Sequence, residues 1–365
     1  MLAQPSSGPQ RRSLDQSGFD KTVTTHERFL RGVGGVRAAL AFVDAPGVDA
    51  RRRLLNEADF TGADLQGSLF TGAHLERASL YCANLRGCDL RASNLKRADL
   101  RGAYLAGAAL NGAVMDEADM RAAYIVHAGA GGTLHILHHG PGPSPDLGAN
   151  SHGADFTNCA MRGVRLCAAN LRGANFTGAV LDGADLSGAK LTNAIFRDTV
   201  MTAVALEGLN LSPDQLEGCV FSPTPEAAAR APRLLEALRE GCAWAESGGK
   251  RGTPAIVDHE DLRPLGGACR GRHLTALSAR GACAIHMDFS GASLQGANFD
   301  HADLRGATFE GADLRGASFR QAKLSHARMA RADLSPLLLP NGQPHACRFD
   351  GAWLDRVDFA DTVRA

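Results

Sequence analysis

A large apolar residue stands at every fifth position from Leu55 to Ile125: Leu55, Phe60, Leu65, Phe70, Leu75, Leu80, Leu85, Leu90, Leu95, Leu100, Leu105, Leu110, Met115, Met120 and Ile125. A second series runs two residues earlier and, after Arg53, is small throughout: Ala58, Ala63, Ser68, Ala73, Ala78, Ala83, Cys88, Ser93, then alanine to Ala123. No standard element has this period. Helices place apolar residues three and four apart, and strands two apart. At about 100° per residue, a step of five would wind the leucines around every side of a helix. The repeating unit is therefore a turn with its own geometry, one large and one small side chain inward and three residues outward. Turns stacked on turns bury a continuous apolar column, which is a solenoid held by contacts between neighbouring coils.

Units such as Ala63-Asp64-Leu65-Gln66-Gly67 and Ala98-Asp99-Leu100-Arg101-Gly102 resemble the A(D/N)LxG motif of pentapeptide repeat proteins. The resemblance implies an all-β fold, a right-handed quadrilateral parallel β-helix. Four units would make each coil, and coils would rise by roughly 4.8 Å, one strand spacing. The family is functionally mixed, so the fold brings no activity with it.

Along the chain, residues 1–37 read as a disordered tail followed by a short capping helix over Thr25–Leu30, with Thr24 or Thr25 as its cap. A solenoid is expected over 38–211, its first coil beginning near residue 38. It is interrupted at 126–152 by a β-hairpin (Tyr124–Ala128 with Thr133–His138) and a Gly/Pro-rich loop, an excursion from one corner with the column continuing beneath. The series resumes at Phe156 and continues through Phe176, Phe196, Leu206 and Leu211. Residues 212–255 read as a helical insert or linker with starts at Ser212-Pro213 and Thr224-Pro225 and a kink at Pro232. Its stripe of Leu234, Leu235, Leu238 and Cys242 would fold back on the Val180/Val200 face or the last coil, or join two copies as a homodimer. A second solenoid segment is expected over 256–365, worn between Ile256 and Ala284, with a loop insert at 335–347.

Composition narrows the function. Lys and Arg number 39, as do Asp and Glu, and no stretch approaches the roughly 18 apolar residues of a membrane-spanning helix. The N-terminus has no apolar run after its arginines, so it does not read as a secretory signal. Nine cysteines lack CxxC spacing. Cys88, Cys159 and Cys347 occupy the small inward position, as reduced core thiols of a cytoplasmic, bacterial protein would.

No catalytic motif is present: GxSxG, HExxH and GxxxxGK[ST] are all missing, and no cofactor, metal or catalytic residue is assigned. Asp59, Asp64, Asp89 and Asp99 read as turn residues bonding their own backbone. His127, His135, His138 and His139, with His152 nearby, cluster around the hairpin, but no cysteine or carboxylate completes a metal set. Arg86, Arg91, Lys96 and Arg101 follow the inward residue in four successive units and so fall on four sides, a poor groove for nucleic acid. Tyr104 with Tyr124, and Ala160, Val180 and Val200 with Ile195 round the corner, would form stacked rows for a protein partner, and Arg86, Arg91, Lys96 and Arg101 belong to the same candidate partner surface. The reading is a non-enzymatic protein-binding scaffold with rigid faces. Some pentapeptide repeat proteins mimic DNA and modulate type II topoisomerases such as gyrase. That alternative needs an acidic surface, whereas residues 53–125 hold eight basic and nine acidic side chains.

Overall fold

In the computed structural model, which describes residues 11–121, 123, 125–128, 134–136 and 150–363, the five-residue step becomes four parallel ladders. The residue before each inward side chain bridges the residue twenty further on: Asp64 to Asn84 to Tyr104, Asp89 to Ala109, Asn94 to Val114, Asp99 to Asp119. Each rung is a pair of backbone hydrogen bonds, as where the Leu85 amide donates to the Tyr104 carbonyl (2.8 Å) and the Tyr104 amide to the Ala83 carbonyl (2.9 Å). Every inward residue from Leu55 to Met120 is fully buried. The fifth residue of each unit turns the corner at positive φ, which favours glycine. At Gly102 (φ 66°) a Cβ would also strike the Ala123 carbonyl and lie 2.8 Å from Cys82 Sγ. The chain divides into two compact units, Met1–Ser222 and Pro223–Ala365.

The first unit opens with strand β1 (Arg12–Ser13), parallel to β2 (Val43–Asp44), and helix α1 (Gln16–Leu30). The helix starts well before Thr25 and removes residues 16–22 from the expected tail. Its cap is Asp15, whose carboxylate accepts from the Gly18 amide (2.8 Å). Phe19, Val23 and His26, spaced four and three apart, form the face it buries over the end of the column.

The ladders cross the insert without a break. Tyr104 bridges Asn150, Ala109 bridges Asp155 and Asp119 bridges Arg165, each 46 residues on. Two expectations change here. The coil resumes at Asn150 rather than after residue 152, and Ile125, half-buried, has left the column. Ser151 takes the inward position and is fully buried. Within the insert, β3 (Val126–Ala128) and β4 (Leu134–Ile136) pair antiparallel, with His127 opposite His135. Beyond it Phe156, Phe176 and Phe196 stack with centroids 4.9 and 5.0 Å apart, one ring per coil. Leu206 and Leu211 do not extend the ladders. They pack half-buried against the end of the column, where a 3-10 turn, Pro213–Leu216, crosses it. Gln215 Nε2 donates there to the Ala194 carbonyl (2.8 Å), capping an edge that would otherwise invite pairing.

The second unit begins with helix α2 (Pro225–Glu246), capped by Thr224. It runs as one continuous helix through Pro232, which is exposed, so the chain does not restart there. Leu234, Leu238 and Cys242 pack with Ala255, Val257, Leu262 and Leu265 of this unit's own column. The segment expected as a linker thus caps the coils that follow it, and the Val180/Val200 face is not where its stripe lies. A 3-10 turn at Arg263–Leu265 lengthens the first coil to 22 residues, as from Asp261 to Cys283, before the spacing of twenty sets in at His273 and Ser293. The insert after Leu334 pairs β5 (Leu337–Leu338) with β6 (Pro344–His345), and the ladder steps from Ser318 to Arg348 across it. Phe299, Phe319 and Phe349 stack at 5.3 and 5.2 Å, again one ring per coil.

Candidate functional site

The motif's aspartate defines the outer surface. Its Oδ1 accepts the amide two residues on: Thr61 at Asp59 (3.0 Å), Gln66 at Asp64 (3.2 Å), Arg91 at Asp89 (3.1 Å) and Arg101 at Asp99 (3.2 Å). Where that second residue is arginine, its guanidinium returns to the same carboxylate as a two-point fork. Arg91 does so at 2.9 and 2.6 Å, and Arg101 at 2.8 and 2.7 Å. The Arg91 bond pushes the Asp89 carboxyl down to about 2. The same fork recurs at Asp49–Arg51, Asp119–Arg121, Asp261–Arg263, Asp303–Arg305 and Asp313–Arg315. Charge is therefore cancelled locally along the faces.

Four side chains gather around one corner of the third and fourth coils. Arg101 lies over the Tyr81 ring, 5.1 Å from its centroid, while its fork holds Asp99. Arg86 lies over the Tyr104 ring at 4.8 Å. Tyr81 stands in the turn two residues after Ser79 of one ladder and Tyr104 stands in the next ladder, with Asn84 as its neighbour there. Asn84 is fixed by its amide donating to Asp64 Oδ1 (2.8 Å). Cys82 is buried beneath, its thiol pushed up to about 12 by desolvation. Arginine and tyrosine are, with tryptophan, the residues enriched at the energetic centres of protein interfaces, and stacking holds both in place before a partner arrives.

Three of the anticipated surface residues, Arg86, Arg101 and Tyr104, therefore meet at one corner. Tyr81 joins them unanticipated; its only sequence signal is its place twenty residues before Arg101. Arg91 stands on another face, in a cleft of about 600 Å³ with Asp49, Arg51, Arg52, Leu69, Thr71 and Asp89. Lys96 is half-buried on a fourth face. The expected tyrosine row does not form, because Tyr104 is followed in its ladder by Asn150; Tyr124 lies outside the described residues. Val180 and Val200 are fully buried, so they are not an exposed stripe. They stand in one ladder with Ala160 and Val220, and β-branched side chains stacked a strand spacing apart cover one another's flanks. Ile195 is 49% exposed, as expected.

His127 and His135 oppose each other on the hairpin, His152 is exposed beyond it, and His138 and His139 lie outside the described residues. Among the described residues no three His, Cys, Asp or Glu side chains converge as metal ligands, and no helix is long and apolar enough to cross a membrane.

Residues 58–97, 93–128, 159–198, 179–212, 274–311 and 302–335, more than half of the chain together, match the family of pentapeptide repeats in eight copies. No curated protein matches the chain. Among solved structures it is similar to HetL, a pentapeptide repeat protein involved in heterocyst differentiation regulation from the cyanobacterium Nostoc sp. strain PCC 7120. That likeness has 18% identity over 94% of each chain and a TM-score of 0.32. A pentapeptide repeat protein of the Arabidopsis thaliana thylakoid lumen is 29% identical over 30% of this chain and 63% of its own, with a TM-score of 0.21. QnrB1, a plasmid-mediated fluoroquinolone resistance protein, is 20% identical over 55% of this chain and 91% of its own, with a TM-score of 0.24.

Proposed function

Because the chain belongs to the pentapeptide repeat family, we propose that it is a non-enzymatic, cytoplasmic scaffold that binds a protein partner at the corner formed by Tyr81, Arg86, Arg101 and Tyr104. The finer fold reading, a right-handed quadrilateral β-helix, is supported by four ladders repeating every twenty residues. The observation that carries the function is the pair of arginine–tyrosine stacks on consecutive coils. Backbone rungs on both sides fix the spacing of the two stacks, so a partner meets a rigid surface and little side-chain entropy is lost on binding. Pull-down from the native host with wild type and with Arg86→Glu/Tyr104→Ala tests this. A partner retained by wild type and weakened at least tenfold by the double variant is the expected result. Equal retention by both would remove the corner from the interface.

The DNA-mimic reading is weaker. It needs uncompensated carboxylates, and here Asp49, Asp89, Asp99 and Asp119 each face an arginine at 2.6–2.7 Å. Gyrase supercoiling should proceed unchanged with micromolar protein present. A homodimer through α2 is likewise disfavoured, since Leu234 and Leu238 are buried within their own unit.

A further inference from the structure

Residues Arg31–Arg37 (Arg-Gly-Val-Gly-Gly-Val-Arg) are all exposed where the chain leaves α1. Val33 is 62% exposed and Val36 66%, and Phe29, in the last turn of the helix, is 43% exposed. These are large apolar side chains held outward by an ordered loop. The Val33 amide donates to the Arg28 carbonyl (3.1 Å) and the Gly32 amide to the Phe29 carbonyl (3.0 Å). Gly35 (φ 101°) folds so closely over α1 that a Cβ would meet the Thr25 carbonyl and lie 3.0 Å from the Phe29 nitrogen. The loop cannot easily turn its valines inward.

Its charge is one-sided. Arg28, Arg31 and Arg37 frame the apolar tip, and no carboxylate occurs between residues 28 and 37. The nearest acids on the helix are engaged elsewhere: Glu27 and Asp20 both bond Arg53, at 2.8 and 3.0 Å. An apolar tip ringed by cations is the pattern of segments that dip into the headgroup boundary of an anionic bilayer. A protein partner fits less well. Three glycines within the seven residues leave no side chains to interlock, and the tip has no Tyr or Trp anchor.

We propose that this loop docks the protein on anionic lipid surfaces, with Phe29, Val33 and Val36 entering the interface and Arg28, Arg31 and Arg37 against the phosphates. The contact is peripheral and independent of the Tyr81–Tyr104 corner. Co-sedimentation tests it, using vesicles of phosphatidylcholine alone and with about 30 mol % phosphatidylglycerol, at low ionic strength and at about 0.5 M salt. Wild type should pellet only with the anionic vesicles at low salt. Val33→Asp/Val36→Asp should stay in the supernatant, and Arg31→Glu/Arg37→Glu should bind at least roughly 25-fold more weakly, about fivefold per arginine. Both variants change exposed positions; Arg37→Glu also gives up the Arg37 Nε bond to the Glu57 carbonyl, so Val33→Asp/Val36→Asp, which removes no side-chain bond and should melt like wild type, shows that loss of binding is not loss of fold. Wild type remaining in the supernatant, or either variant pelleting like wild type, would overturn the proposal.

Discussion

His26 shows how a single buried polar residue can tie a cap to a column. It is fully buried; its Nδ1 accepts the Ala38 amide (3.1 Å), which leaves Nε2–H to donate to the Asn56 carbonyl (3.0 Å). The Ala38 bond requires the neutral ring, and desolvation, outweighing the Asn56 bond that favours the imidazolium, holds the pKa below the ordinary 6.5. The sign of the linkage follows. Between the folded and unfolded values the unfolded chain carries the proton and the folded chain does not, so stability is full above about pH 6.5 and falls as pH drops below it. The Glu27 carboxyl is also shifted; burial raises it, but Arg53 and the Leu54 amide outweigh that and hold it below 4.5, outside this window. Thermal melts from pH 7.5 to 5 should show the loss, and His26→Gln, whose amide can both donate and accept, should flatten the slope; an unchanged slope would assign it elsewhere. Residue-scale reading of the sequence was strongest where side-chain size repeats and weakest where the chain departs from it. Ile125 looked like the fifteenth inward residue and Ser151 like loop, yet Ser151 is the one in the column. Nothing in a serine's chemistry marks it as core, and its Oγ has no hydrogen-bond partner among the described residues.

The helices do what five-residue turns cannot, closing the apolar ends. α1 carries Phe19, Val23 and His26 inward, and α2 carries Leu234, Leu238 and Cys242. Both stripes were legible as helical spacing, but their destinations were not, because an amphipathic helix declares only that its stripe must be buried. Asp15, in a polar, proline-bearing tail, carries no mark of a cap, so the sequence alone predicts a shorter α1 than the fifteen residues it spans. The proline in α2 suggested a break, but an exposed proline loses only one intrahelical bond, and packing of the stripe on either side keeps the helix continuous. Leu238 is 4% exposed, whereas Leu235 is half-buried. Leu238→Asp should therefore destabilise the second unit by about 3–5 kcal/mol, through lost packing and an unpaired buried carboxylate. Leu235→Asp should cost clearly less. Urea denaturation of the two variants distinguishes this from a helix whose stripe faces a second copy, where light scattering would show a wild-type dimer turning into a stable monomer.

Across the molecule, the spacing of twenty is the quantity that organises the chain, and it was present in the sequence as strict fives. What the period could not say is which outward positions are buried. Val180 and Val200 occupy the same place in their units as Tyr104 does in its own, yet they are fully buried and it is not. Likewise the pairing of Tyr81 with Arg101 depends on a stack between coils, visible only once twenty residues are known to make one turn. The same arithmetic yields a test of the insert. Tyr104 bridges Asn150, 46 residues on like every rung that crosses the insert, against twenty in the ladder rungs of the first unit that do not cross it, so 26 residues are surplus to the ladder. Removing residues 124–149 puts Asn150 in the place of residue 124 and restores the spacing of twenty. If the column runs beneath the insert, the shortened protein should keep the β-type circular dichroism of wild type. Its melting temperature should shift by no more than about 4–8 °C, the equivalent of roughly 1 kcal/mol in a small domain. Deleting one residue more or fewer should be far worse, because a slip of one turns every inward side chain of the adjoining coil away from the column. Equal stability for deletions of 25, 26 and 27 residues would mean that the rung between Tyr104 and Asn150 does not set the register of the coils that follow.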